Sequence, residues 1–161
     1  MLLKLATRRR SFTYAGLARE LFMSASEVHG SVVRAKAARL VTSAPKEDLQ
    51  VANGALREFL VHGARYAFPA VLGPLTRGMP TAYAAPVLRE RIVLPNEPNP
   101  VWPYAKGEVR GVSLQPLFPS VPQAAELDAK LYEALALFDA IRIGSARERE
   151  MAAKLLAGVV A

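Results

Sequence analysis

The chain contains no cysteine. Disulfides and cysteine-based zinc sites are therefore excluded, as fits a reducing cytosol. Histidine is nearly absent: His29 and His62 are the only two, and no cluster of Asp accompanies either. No metal and no cofactor is expected. Long apolar runs are missing as well, and none approaches the length that spans a bilayer. The opening Met1–Ala6 stretch is too short and too poorly flanked for a signal peptide. A cytoplasmic protein with no membrane partner is the expectation. Catalytic signatures are lacking too. There is no Gly-x-Gly-x-x-Gly, no Gly-Lys-Ser/Thr phosphate loop, no His-Glu-x-x-His and no Gly-x-Ser-x-Gly. Glu126 and Asp128, and Glu148 and Glu150, are carboxylates two apart on expected helices, so each pair diverges. The chain is not expected to be an enzyme.

What is present suits one domain, or one small domain with an extension: 161 residues, 52% of them apolar. The net charge is +7 and unevenly spread. Residues 1–50 hold nine basic and four acidic side chains, a net +5, against twelve and ten, a net +2, in the rest. A basic excess of this kind attracts phosphate and gives salt-dependent affinity for nucleic acid, though a basic face could equally bind acidic lipid or RNA.

The excess surrounds Ser11–Leu40, which reads as two short helices joined by a tight turn. Thr13 can cap the first helix, with Phe12 and Leu17 at the spacing of a hydrophobic staple. Leu17, Ala18 and Leu21 share one face. Ser24 and Glu27 form a capping box for the second helix, flanked by Met23 and Val28. Val28, Val32 and Ala35 make its inward stripe. Only Phe22 and Met23 separate Leu21 from the second cap, so the helices must cross steeply, as in a helix-turn-helix. The outer face carries Ser26, His29, Gly30, Val33 and Ala37, with Arg34 and Lys36 at its margins. Such small, uncharged residues allow close approach, and the first turn of a recognition helix is where side chains meet base edges. A plain helical hairpin of a core would also satisfy the apolar spacing.

These residues resemble the winged helix-turn-helix of MarR-like bacterial transcription regulators. The likeness rests on Leu17, Ala18 and Leu21, then Met23, Ser24, Ser26 and Val28, then Arg39, Leu40 and Val41 leading into a wing. It covers the first third of the chain. Phe22 departs from the pattern, standing where many relatives carry Gly. The resemblance implies a dimeric DNA-binding regulator. A basic head followed by a partner-binding half also resembles antitoxin-like regulators of toxin and phage-defence operons.

Elsewhere, Met1–Ala6 reads as the end of a first helix, and Arg8, Arg9 and Arg10 as phosphate clamps or a solvated turn. Leu40–Thr42 and Leu49–Val51 read as the strands of a β-wing. Lys46 near its tip either reaches the DNA or belongs to a wing that only caps the core. Asn53 is expected to cap a helix running to His62 and ended by Gly63. Eleven of the twelve prolines lie in residues 69–122. Proline density of this kind argues against long helices and central strands. The expectation is an irregular segment draped over the helices, in which 89–94 and 111–115 pair as a small sheet. Residues 98–103, with Trp102, either bind a partner or anchor the loop. A helix from Pro122 to Ile143, ended by Gly144, and a last helix capped by Ser145 and Glu148 complete the chain.

The fold class expected is thus mainly α with a small β-wing. An N-terminal winged helix-turn-helix (residues 1–66) is followed by a Pro-rich irregular segment and two C-terminal helices (67–161) that serve dimerisation or partner binding. The expected function is a sequence-specific DNA-binding transcriptional regulator, a repressor acting on double-stranded DNA as a homodimer. The alternative is an antitoxin-like protein that grips a protein partner through its Pro-rich and C-terminal half. Arg8, Arg9, Arg10, Lys36, Arg39 and Lys46 would contact phosphates, and Ser24, Ser26, His29, Val33 and Arg34 would line the base-reading helix.

Overall fold

A computed structural model describes residues 1–7, 12–43, 49–92, 96 and 98–160. The protein is mainly helical with two small sheets. Helix α1 (Leu2–Ala6) is followed by α2 (Tyr14–Leu21) and α3 (Ala25–Ala37). Strands β1 (Val41–Ser43) and β2 (Leu49–Val51) pair antiparallel, with Thr42 opposite Gln50.

The next helix differs from expectation at both ends. It starts one residue earlier: Asn53 is its first helical residue, and Leu56 N–H already closes the turn onto Ala52 O at 2.8 Å. Asn53 is therefore not the cap. The helix runs as α4 (Asn53–Glu58), a π-helical turn (Phe59–Gly63) and α5 (Ala64–Ala67). Gly63 does not end it, because the backbone there stays right-handed at φ −107, ψ −37. The apolar spacing drives the continuation: Leu56, Leu60 and Ala64 are all buried on one side.

The proline-rich segment is the largest correction. It is not irregular. Strands β3 (Leu72–Pro80), β4 (Pro100–Pro103) and β5 (Val109–Leu114) close on one another, each paired with the other two. β3 is antiparallel to both, and β4 is parallel to β5. The prolines sit where a strand tolerates them: Pro80, Pro100 and Pro103 at strand ends, and Pro74 within the bulge between Leu72 and Leu75. So small a closure has little room inside, and the buried Val101 side chain lies against both Gly78 and Gly111. A Cβ at Gly78 or Gly111 would overlap the carbonyl oxygen of Trp102 or Asn99. The expected partner of 111–115 is also wrong: Arg89 ends helix α6 (Pro86–Arg89), and β5 pairs with β3 and β4 instead. Residues 93 and 94 of that expected strand lie outside the described residues.

Pro122 does open a helix, but not a continuous one. α7 (Val121–Leu127) gives way at Asp128 to α8 (Ala129–Ile143). Asp128 takes an extended backbone and caps α8, accepting Leu131 N–H at 3.1 Å. Gly144 follows α8 as expected, though in an extended conformation rather than a left-handed one. α9 (Ala146–Val159) starts on the Ser145–Glu148 capping box.

α8 is the spine of the protein. Its residues from Ala134 to Ile141 are all buried, and α1, α5, α6, α7 and α9 pack around it. The chain itself covers the apolar surface that suggested a dimer contact for this helix. One charge lies in this run, Asp139, 1% exposed. Its Oδ2 accepts Trp102 Nε1–H at 2.6 Å and the Thr81 hydroxyl at 2.8 Å. Its Oδ1 accepts Arg142 Nη1–H at 2.7 Å. Burial pushes the carboxyl upward, and Arg142, Thr81 and Trp102 pull against it. Arg142 also donates to the carbonyls of Phe68 and Pro69, at 2.9 and 3.2 Å. Trp102 thus anchors β4 on α8 and, at 1% exposed, offers no surface to a partner.

Asp139→Asn would set an amide N–H₂ against donors. It is expected to cost about 3–5 kcal/mol, the usual penalty for stranding one member of a buried pair. A fall in the urea midpoint of unfolding measures it; an unchanged midpoint would show that the network is dispensable.

Candidate nucleic-acid interface

The site is built from helix ends. Thr13 caps α2, its hydroxyl accepting Gly16 N–H at 3.0 Å. α2 ends with Phe22 in the left-handed region, φ 52, and Met23 N–H donates back to Ala18 O at 2.9 Å. That closure turns the chain sharply into Ser24. It also explains the departure at Phe22: the conformation is one that Gly adopts more cheaply. α3 then starts on a reciprocal cap, with Ser24 N–H to the Glu27 carboxylate at 2.7 Å and Glu27 N–H to Ser24 Oγ at 3.2 Å. The Ser24 backbone N–H and then its side chain hold Glu27 below the usual carboxylate range. The cap's contribution is therefore present above that range and lost as pH falls through the lowered value. α3 ends as α2 does. Arg39 is left-handed at φ 56, and Leu40 N–H donates to Ala35 O at 2.9 Å.

The inner side of α3 is sealed: Val28, Val32 and Ala35 are 0%, 1% and 4% exposed. The outer side is open. Ser26, His29, Val33, Arg34, Lys36 and Ala37 are exposed, and Gly30 is half-buried. Among the described residues, nothing from the proline-rich segment covers the exposed ones. Ser26, His29 and Val33 follow at spacings of three and four and so form one row. Ser24 is exposed, but its N–H and Oγ are engaged in the cap. Arg34 reaches Ser31 Oγ at 3.2 Å, back along its own helix. Arg39 is exposed just beyond the helix. Arg8, Arg9, Arg10 and Lys46 lie outside the described residues.

Three exposed residues belong to this surface although the sequence did not single them out for it. Tyr14, on the first turn of α2, sets its ring 5.7 Å from that of His29. Phe22 is 47% exposed at the turn, and Arg19 is exposed on α2. Only the crossing of the two helices brings Tyr14 to His29, and helical spacing within either one gives no signal of it.

A buried ion cluster fixes the two-helix unit to the body. Lys4, 2% exposed, places Nζ 2.6 Å from both Glu20 of α2 and Asp128 at the start of α8. Ser120 adds a hydroxyl bond to Leu21 O at 2.6 Å. Pairing with Lys4 also ties up the Glu20 charge on the head.

Among the described residues, no group of three or more acidic or histidine side chains could hold a metal, and no helix is long and apolar enough to cross a membrane. Comparison with protein families, with curated proteins and with solved structures found no match.

The left-handed closure at Arg39 generates a stability prediction. Arg39→Gly removes the Cβ strain at φ 56 and is expected to stabilise the fold by about 0.5–1 kcal/mol. Thermal unfolding would show a higher Tm; a lower one would mean that the arginine side chain contributes more than the strain costs.

Proposed function

We propose that the protein is a sequence-specific DNA-binding transcriptional regulator, a repressor whose α2–α3 pair and β1–β2 hairpin act as a MarR-like winged helix-turn-helix. One observation carries this reading. α3 is sealed on one side by Val28, Val32 and Ala35, while Ser26, His29, Val33, Arg34, Lys36 and Ala37 on the other are exposed and none of them is acidic. An α-helix presented in this way fits the major groove. Ser26, His29 and Val33 would meet base edges or methyl groups, and Arg34, Lys36 and Arg39 the flanking phosphates. With so few bidentate readers, each worth about 1–3 kcal/mol of discrimination, one copy reads little sequence. A dimer on an inverted repeat doubles the reading, and symmetric half-sites match two-fold symmetry.

The second reading is an antitoxin-like protein that also grips a protein partner through its C-terminal half. A specific observation favours it: Leu72 and Leu75 of β3 are 56% and 53% exposed.

The DNA reading is tested by gel shift against the upstream DNA of its own gene across a salt series. Val33→Glu puts a charge on the open row and is expected to abolish the shift without unfolding the protein. Lys36→Ala should weaken binding to all sequences alike and flatten the slope of log K against log salt by about 0.9. A shift that survives Val33→Glu would exclude α3 as the reading helix.

A further inference from the structure

We propose that the outer face of the β3–β5 ladder docks an acidic, leucine-bearing segment of a protein partner, an inference that rests on the partner-binding reading. Arg77 and Arg110 stand directly opposite each other across the ladder, so their side chains leave the same face side by side. Both are exposed. Among the described residues, neither side chain has an ion pair or hydrogen bond. Like charges directly opposite destabilise a ladder, so the fold gains nothing from this pair. A carboxylate seated between the two guanidinium groups would resolve the repulsion and accept from both.

One step along the same face, Leu75 is opposite Val112, and beyond the bulge Leu72 is opposite Leu114. Two half-exposed apolar side chains, Leu72 and Leu75, thus run up to a like-charged pair. Charge selects the occupant. A second copy would bring another chain of net charge +7, and a two-fold contact centred on the strip would set arginine pair against arginine pair. A nucleic acid would satisfy the arginines and leave the leucines uncovered. An acidic, apolar polypeptide covers both. It lies on the face and not along the second edge of β3, which β4 pairs only from Gly78 to Pro80 and where Pro74 offers no N–H.

The test is fluorescence anisotropy on the full chain with three labelled peptides of equal length, alternating Glu–Leu, Lys–Leu and Glu–Ser. The Glu–Leu peptide is expected to bind, and the other two at least about ten-fold more weakly. Arg77→Glu with Arg110→Glu, and separately Leu75→Ser, should each weaken the Glu–Leu peptide by about ten-fold or more. Arg77→Ala with Arg110→Ala serves where circular dichroism shows that charge reversal perturbs the fold. The proposal is overturned if the Glu–Leu peptide does not bind, if the arginine variants bind it as well as the parent, or if random-sequence duplex DNA displaces it. Tight binding of the Lys–Leu peptide, lost on Leu75→Ser, would sink the acidic partner while leaving a partner-binding face intact.

Discussion

A helix buried on every side must dispose of any charge it carries, and α8 carries Asp139 in its most buried stretch. An unpaired carboxylate there would cost several kcal/mol. The protein answers with donors from three separate places: Thr81 beyond β3, Trp102 in β4 and Arg142 one turn along α8. Each donor fixes its own segment. Trp102 also meets Tyr132 edge-on at 5.8 Å, and the Tyr132 hydroxyl donates to Pro80 O at 2.7 Å. Arg142 carries the restraint onward to the carbonyls that follow α5. The closed three-stranded unit and the end of the α4–α5 run are therefore positioned by one carboxylate.

That dependence explains which parts were legible in the sequence. Three helix starts were, because a cap is a local contact: Thr13, the Ser24–Glu27 box and the Ser145–Glu148 box form as their spacing indicates, whereas Asn53 does not cap and the Asp128 cap gave no such signal. The β1–β2 pairing was local too. The proline-rich segment was misread because its strands are held by distant partners. β3 and β5 are about thirty residues apart in sequence, and they close only because Gly78 and Gly111 admit a neighbouring backbone. Counting prolines said nothing of their placement at strand ends and at a bulge. Asp128 was read as a solvated carboxylate on a continuous helix. It is instead the break between two helices, where it meets a buried Lys4 that lies 124 residues away. Lys4 and Asp139 look ordinary in sequence because a buried charge is recognisable only by what surrounds it.

The open face of α3 was legible for a related reason. Its composition is set by what it does not touch. Helices that face only water favour long charged residues, which keep their rotamer freedom there. Ser26, Gly30, Val33 and Ala37 give up that advantage. The two left-handed ends, at Phe22 and Arg39, make the same point about the backbone, since Gly would be easier at both. At Arg39 the strain keeps a cation directly beyond the helix. At Phe22 it keeps a half-exposed ring beside the turn.

On the proposed DNA-binding reading, a helix with so few strong base readers would owe its selectivity to how firmly it is aimed. Capping at Ser24 fixes the first turn of α3, where Ser26 and His29 lie, and the ring of Tyr14 stands against His29. Behind them, Lys4 bridges Glu20 and Asp128, and Ser120 holds Leu21. The Lys4 ion pairs are buried or half-buried, and water screens such pairs less than surface ones. They also reach α8 directly through Asp128. An interface held in place before binding loses little entropy on association. In the proposed complex, modest base contacts would then suffice, because a mismatched groove could not be accommodated by tilting the helix. By the same logic, any force that shifts the start of α8 acts on the head through Lys4. The body and the open face of α3 are thereby joined by a short run of buried charge.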